Sequence, residues 1–421
     1  MRAPLVSDPR LNPPTYSFDA GEAFQTLLDD VVAFGDAQVA EASERAPELF
    51  GIDADRVSID SDCRFVPLVH EVRATVRKRA VERGFYGMSM PGADGSAGMT
   101  CLGMSMLDEA LSTRPAYPSV LWPDLTIHML GRAWGPTPVL LRGSDEIKDR
   151  YLAPLMSGEA TTCIALTDPD AGSDPQNMRA TATHRGSEWV INGRKRFVGN
   201  SPYADFLMVY ARTSGEPGDH RGISLFIVEK GTPGFEVVRV NRVMEGLGNH
   251  GELSFEDCHV PEANLVGEEG RGFGLAMEYV SAARLSIASR SLGGAQWLLD
   301  HAIERARSRV TFGQPLADRQ AIQWMIADLA TDIEQLRWLI RHAASRVDAG
   351  DPARVETSMA KVRGPAVYHH AADVAMQIFG GLGYLSDEPI ERAYRRARGY
   401  RFIEGTDEMQ RQSIARQLLK G

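Results

Sequence analysis

A block of short, β-branched segments set between two helical regions constrains this chain more than any other feature. From about Thr161 to Gly267 it reads TTCIAL, EWVING, DFLMVYAR, ISLFIVEK, FEVVRV and ELSFEDCHV, separated by Gly, Pro, Asn and Asp. Runs of that length between turn formers predict strands, and several at this spacing predict a β-sandwich or barrel. Before the block, residues 1–20 are proline-rich and read as an arm. Phe24, Leu27, Leu28, Val31, Val32, Phe34 and Val39 then recur at helical spacing. A second helix is predicted over Pro67–Arg83, stopped by Gly84, and a third near Met104–Ser112; Ser119–Ser157 reads mostly helical. After the block, Ile322, Met325, Ile326, Leu329, Ile333, Leu336, Leu339 and Ile340 again follow helical spacing as core positions. Three or four long helices divided by GQP, AGDP and GGLGY predict an antiparallel bundle. The expected class is α+β, with an N-terminal α-helical domain over 1–160, a middle β domain over 161–268 and a C-terminal helical bundle over 269–421. Periodicity leaves open whether the two helical regions pack together.

With 421 residues, 43% hydrophobic and 24% charged, the chain can bury a sizeable core without disulfides or metals. The net charge of −10 argues against nucleic acid as a partner, which needs a basic stripe. It leaves room for an anionic ligand on a local arginine cluster. Cys63, Cys101, Cys163 and Cys258 are widely spaced with no C-x-x-C pair, so neither a metal site nor a disulfide framework is expected. The N-terminus lacks an apolar signal-like core, and no run reaches membrane-spanning length. A cytoplasmic protein without membrane insertion is the expectation.

Residues 246–251, GLGNHG, match G-x-G-x-x-G, but a strand-like segment follows where a dinucleotide site needs a helix, so they read as a turn. In ALTDPDAGSDPQN, residues 165–177, Pro169, Gly172 and Ser173 either build a plain turn or, with Thr167, present hydroxyls and backbone N–H groups to a flat polar ligand. Phe197 in INGRKRFVGN is either core or a wall for a planar ring. Arg309 in RVTFGQPLADRQAIQ is either a solvated charge or a pyrophosphate contact. QIFGGLGY, residues 377–384, reads as a glycine-capped helix end, or as bare backbone for close ligand approach. In RFIEGTDEMQR, residues 401–411, one acid, Glu404, precedes Gly405-Thr406 and follows Arg392, Arg395, Arg396, Arg398 and Arg401. It is either a helix-entry charge or a base aimed into a pocket.

Taken in order, ALTDPDAGSD, INGRKRFVGN, LSFEDCHVPEANLVGEEGRGF, RVTFGQPLADRQAIQ, QIFGGLGYLSDEPIERAYR and IEGTDEMQR resemble the acyl-CoA dehydrogenase family of flavoproteins, over about Ser119 to Leu419. The resemblance implies that family's N-terminal helical domain, β domain and C-terminal four-helix bundle. It implies FAD in a cleft between the β domain and the bundle, and a homotetramer whose neighbouring subunit completes the cofactor site. The substrate implied is an acyl-CoA, or an acyl group on a carrier protein. The implied electron acceptor is of the electron-transferring flavoprotein kind. Leu166, Thr167 and Ser173 then match the flavin loop, and Phe197 matches the aromatic beside the isoalloxazine, with Gly199 next to it. Arg309, Phe312, Gln320, Gln377, Ile378, Gly380 and Gly381 match pyrophosphate and adenine contacts across a dimer, and Thr406 and Glu408 match further FAD contacts. Glu404 matches the catalytic base, whose α-proton abstraction accompanies hydride transfer to flavin N5 to give a trans-2-enoyl thioester. Ser173, Arg284, Gly405 and Arg416 match positions near the substrate. Relatives that carry the base on the first bundle helix do so directly before an arginine; Ala283 occupies that place here, before Arg284.

The sequence also departs from the pattern. A threonine hydrogen-bonded near flavin N5 often follows the aromatic, but here the run is Phe197-Val198-Gly199, and Ser281 stands where an acid often precedes the substrate arginine. Trp122, His128 and Trp134 fall near the implied acyl pocket, where bulky rings favour a short or unusual chain. The rival expectations are an acyl-CoA oxidase or carrier-protein-linked dehydrogenase on the same fold, a monooxygenase-like relative that lacks the glutamate, and a non-catalytic helical scaffold.

Overall fold

The computed structural model describes residues 21–50, 53–92, 96–113, 122–244, 248–386 and 388–420, with the side chains of 55 and 122–124 outside that description. The first helices are α1 (Glu22–Arg45), α2 (Ala54–Val57), α3 (Pro67–Glu82), α4 (Cys101–Ser112), α5 (Trp122–Leu130), α6 (Asp145–Ile147) and α7 (Ala153–Met156). Strands β1 (Thr162–Ala165), β2 (Thr181–Arg185), β3 (Glu188–Gly199), β4 (Phe206–Arg212), β5 (Ile223–Glu229), β6 (Phe235–Asn241) and β7 (His250–Pro261) follow. Then come α8 (Gly272–Ser308), the short pair β8 (Val310–Thr311) and β9 (Gln314–Pro315), α9 (Gln320–Asp348), α10 (Arg354–Phe379), α11 (Pro389–Tyr400) and α12 (Asp407–Leu418). The α-β-α order expected from the sequence is therefore present. It belongs to two compact units, one of residues 53–90 and 123–280, the other of 1–52, 91–122 and 281–421.

In the first unit the strands form one seven-stranded curled sheet rather than two stacked sheets. Strand β4 pairs in parallel with β1 and with the start of β2 and antiparallel with β5, and the sheet continues through β3 and β7 to β6. Alternation explains why β4 is buried on both faces. Leu207, Val209 and Ala211 pack with Ile191, Phe226, Phe255 and Val260 on one side of the sheet. Phe206, Met208 and Tyr210 pack on the other side with Leu140, Ile147, Tyr151 and Leu155 from the preceding helical turns. A strand buried on both faces reads as a continuous apolar run, which is what DFLMVYAR is. Strand β2 was not visible in the sequence: TATHR is polar and buries one residue, Ala182.

In the second unit, α4, α8 and α9 to α11 enclose a core that includes Leu292, Leu298, Leu329, Ile333, Leu336, Ile340, Val367 and Ile378. Of the periodic positions on α9, Leu329, Ile333, Leu336 and Ile340 are fully buried; Ile322, Met325, Ile326 and Leu339 pack at the edge. Small residues let the helices approach closely. A Cβ on Gly364 of α10 would lie 2.8 Å from Ala288 Cα of α8, and one on Gly293 would lie 2.2 Å from Glu109 O of α4. The Glu109 carboxylate also accepts from Arg337 Nε at 2.8 Å, so part of the N-terminal helical region packs with the C-terminal bundle. Among the described residues no helix is long and apolar enough to cross a membrane.

Candidate functional site

The loop after β1 and the end of β3 are tied together within the first unit. Lys195, fully buried, places Nζ 2.5 Å from Asp168 Oδ1 and 3.0 Å from Leu166 O. Asp168 Oδ2 in turn accepts from the backbone N–H groups of Arg179 and Ala180 at 2.5 and 2.9 Å. Burial lowers the Lys195 pKa and the adjacent Asp168 opposes that shift, which is how a charged pair persists in the interior. Arg196 N–H donates to Thr167 O at 3.0 Å. The β3–β7 register then shifts between Lys195 and Val198. This bulge re-aims the strand. Phe197 adopts a left-handed φ of 59° and stands 56% exposed, with the Arg196 guanidinium over its ring at 4.4 Å. A bulky residue at positive φ is strained, and strain of that kind clusters at ligand sites.

Thr167 is half-buried and Ser173 exposed, and neither hydroxyl has a hydrogen-bond partner among the described residues. An exposed aromatic on a strand that is hydrogen-bonded to the Thr167 loop suits a flat ligand with polar edges, such as a flavin. Trp122 has its side chain outside the described residues. His128 is buried with Nδ1 3.5 Å from Arg77 Nη1, and its ring lies 5.3 Å from that of Trp134.

In the second unit Glu404 sits in a loop built to strain its backbone. Its φ is 58° and that of Gly405 is 96°. Arg284 Nε donates to Glu404 O at 3.1 Å from 120 residues away, and Gln410 Nε2 approaches the same oxygen at 3.5 Å. Thr406 Oγ1 caps α12 by accepting from Met409 N–H at 3.3 Å. The buried Asp407 accepts from Arg401 Nε at 2.8 Å, and the buried Lys361 of α10 donates to Arg401 O at 3.1 Å. Glu404 is half-buried as a residue, and desolvation of its carboxyl raises the pKa from 4.5 to about 7 against the pull of Arg284 and Lys361. Burial likewise brings Lys361 down to about 8, with Asp407 opposing. Among the described residues no acceptor meets the Glu404 N–H.

Gly405 has a backbone reason of its own: besides its positive φ, a Cβ there would lie 2.6 Å from Gln410 Nε2. Arg416 is exposed in the last turn of α12 and Glu408 exposed in its first. Lys195, Asp168, Lys361 and Asp407 were not singled out from the sequence. Lys195 and Asp168 lie inside quoted motifs, and nothing local marks them as buried.

The remaining expected ligand residues lie at the surface of the second unit. Arg309, Gln320, Gln377, Gly380 and Gly381 are exposed, and Phe312 is 99% exposed at φ 48°. Ile378 differs: its side chain is in the core, so only its backbone is available to a ligand. Among the described residues no group of His, Cys, Asp and Glu is arranged to hold a metal ion.

Family models described as acyl-CoA dehydrogenase N-terminal, middle and C-terminal domains match residues 65–159, 163–258 and 270–419. The chain is 39% identical to an acyl-CoA dehydrogenase of Bacillus subtilis, over 82% of this chain and 89% of that one. It is 37% identical to an acryloyl-CoA reductase (NADH) of Anaerotignum propionicum, over 82% and 86%. The structure of butyryl-CoA dehydrogenase from Megasphaera elsdenii superposes with a TM-score of 0.80 at 30% identity, covering 96% of this chain and all of that one.

Proposed function

Because this chain belongs to the acyl-CoA dehydrogenase family of FAD-dependent oxidoreductases, we propose that Glu404 is the base that removes the α-proton of an acyl-CoA thioester. The observation that carries this reading is the desolvated Glu404 carboxyl, with its pKa raised to about 7 in a loop held at the Glu404 carbonyl by Arg284 and Gln410. An ordinary carboxylate is too weak a base for such a proton; desolvation strengthens it towards the operating pH. The Glu404 N–H, which meets no acceptor among the described residues, is a donor for the thioester oxygen, where charge develops as the proton leaves. Arg284, bonded to the carbonyl of the same residue, anchors the loop that carries that N–H.

FAD, when bound, supplies the hydride acceptor for the β-hydrogen. Leu166, Thr167, Ser173 and Phe197 would hold its ring. Arg309, Phe312, Gln320 and the backbone of Gln377–Gly381 would serve its pyrophosphate and adenine from a neighbouring copy. Exposed apolar groups around those residues, Val310, Phe312, Leu382, Tyr384 and Leu385, support assembly as a homotetramer, since an isolated chain rarely leaves such a patch in water. An electron-transferring flavoprotein is the proposed electron acceptor. The similarity to a reductase supports the reverse direction as well: a Glu404 that titrates near neutrality returns the proton as readily as it takes it.

The test is a panel of acyl-CoA thioesters mixed anaerobically with wild type and Glu404→Gln, following loss of flavin absorbance. The variant should keep its FAD and lose roughly a hundred- to ten-thousand-fold in rate. A variant near the wild-type rate refutes the base, a colourless wild type refutes the enzyme, and rapid reoxidation in air favours an oxidase.

A further inference from the structure

Gly199 is a glycine without a backbone reason. Its φ lies outside the left-handed region, and a Cβ there would meet one atom within 4 Å, Trp134 Nε1, at an ordinary 3.6 Å. Other glycines of the same sheet are forced. Gly193 combines φ 139° with Ala180 Cα at 2.6 Å, and a Cβ on Gly251 would lie 2.2 Å from Ser201 Oγ. What glycine does at 199 is leave open the space in front of the Trp134 indole.

That indole is well held and has a free donor. Thr162 N–H donates to Trp134 O at 2.9 Å, the His128 ring lies 5.3 Å from its ring, and the buried Arg73 guanidinium lies over it at 5.6 Å. A cation over the ring draws electron density from it and strengthens its N–H as a donor. Indole nitrogen can only donate, and among the described residues nothing accepts from it. The half-buried residue leaves that N–H reachable from the Gly199 side, where a ligand at the Phe197–Gly199 edge can supply an acceptor.

We propose that Trp134 Nε1 donates a hydrogen bond to the flavin ring beside Phe197, through the space that glycine leaves at position 199. This rests on the FAD reading above and adds to it a cofactor contact from a helix-turn segment outside the quoted motifs. Trp134→Phe keeps an aromatic ring near His128 and Arg73 while removing the donor and part of the indole, and the Gly199→Ser rescue separates the lost donor from the lost volume. Apo-protein of wild type, Trp134→Phe and Trp134→Phe/Gly199→Ser is titrated with FAD in the absence of substrate, with thermal melting as the folding control.

The single variant should melt like wild type, bind FAD about three- to tenfold more weakly, as loss of one neutral hydrogen bond gives, and show a shifted flavin absorption band. The serine hydroxyl, built into the same space, should restore both. Equal affinity and spectrum for wild type and Trp134→Phe overturn the proposal, as does a change confined to the KM for acyl-CoA, which would make Trp134 a substrate contact. A wild type that binds no FAD would overturn the cofactor reading and this contact together.

Discussion

Replacing Glu404 by Gln should make the FAD-free protein more stable at alkaline pH and leave it unchanged at acid pH. The sign follows from proton linkage. The folded-state pKa of about 7 lies above the ordinary 4.5, so the native state binds this proton more tightly than the unfolded chain does. The stability from that proton is complete below pH 4.5 and is lost as pH rises through 7. At about 1.36 kcal/mol per pKa unit the shift corresponds to about 3 kcal/mol. Partial exposure of the side chain, and solvent screening with it, reduce the expected effect to about 1–2 kcal/mol. Glutamine keeps the shape and cannot ionise, so it escapes the loss. Denaturant melts of both apo-proteins from pH 4 to 9 measure the difference, which should be near zero at pH 4 and reach its full value by pH 8. A difference that is flat with pH, or that favours wild type at pH 8, would refute a desolvated Glu404.

Three further outcomes follow from the same contacts. Lys195→Met should destabilise by about 3–5 kcal/mol, because it strands the buried Asp168 carboxylate; equilibrium unfolding checks this. Gly405→Ala should cost about 1–3 kcal/mol in the same assay, from positive φ and the overlap with Gln410. Lys361→Met removes a cation that holds the Glu404 pKa down, so the acid limb of the kcat/KM profile should move up by as much as about one pH unit.

How much of this was legible depended on whether a signal was local. The β-branched run DFLMVYAR and the apolar stripe of α9 announced their burial, because strand and helix periodicities are written in neighbouring residues. The outward turn of Phe197 was not, since it comes from a register shift against β7. Lys195 and Lys361 read as solvated charges until Asp168 and the Arg401 carbonyl, 27 and 40 residues away, are brought to them. Glu404 was singled out by motif, but the Arg284 contact that holds its loop spans 120 residues. Gly405 matches a position near the substrate by resemblance, and its φ of 96° gives glycine a backbone reason of its own, which no neighbouring residue of the sequence announces. The resemblance supplied the family, and the fold supplied the reasons these side chains sit as they do.

The central claim is that Glu404 removes the α-proton, and isotope exchange reads that event without an electron acceptor. Enzyme and a saturated acyl-CoA are incubated anaerobically in deuterium oxide, and the recovered thioester is weighed by mass spectrometry. Wild type should exchange hydrogen at C2, and Glu404→Gln, with FAD still bound, should not. Exchange by the variant at the wild-type rate would contradict the account.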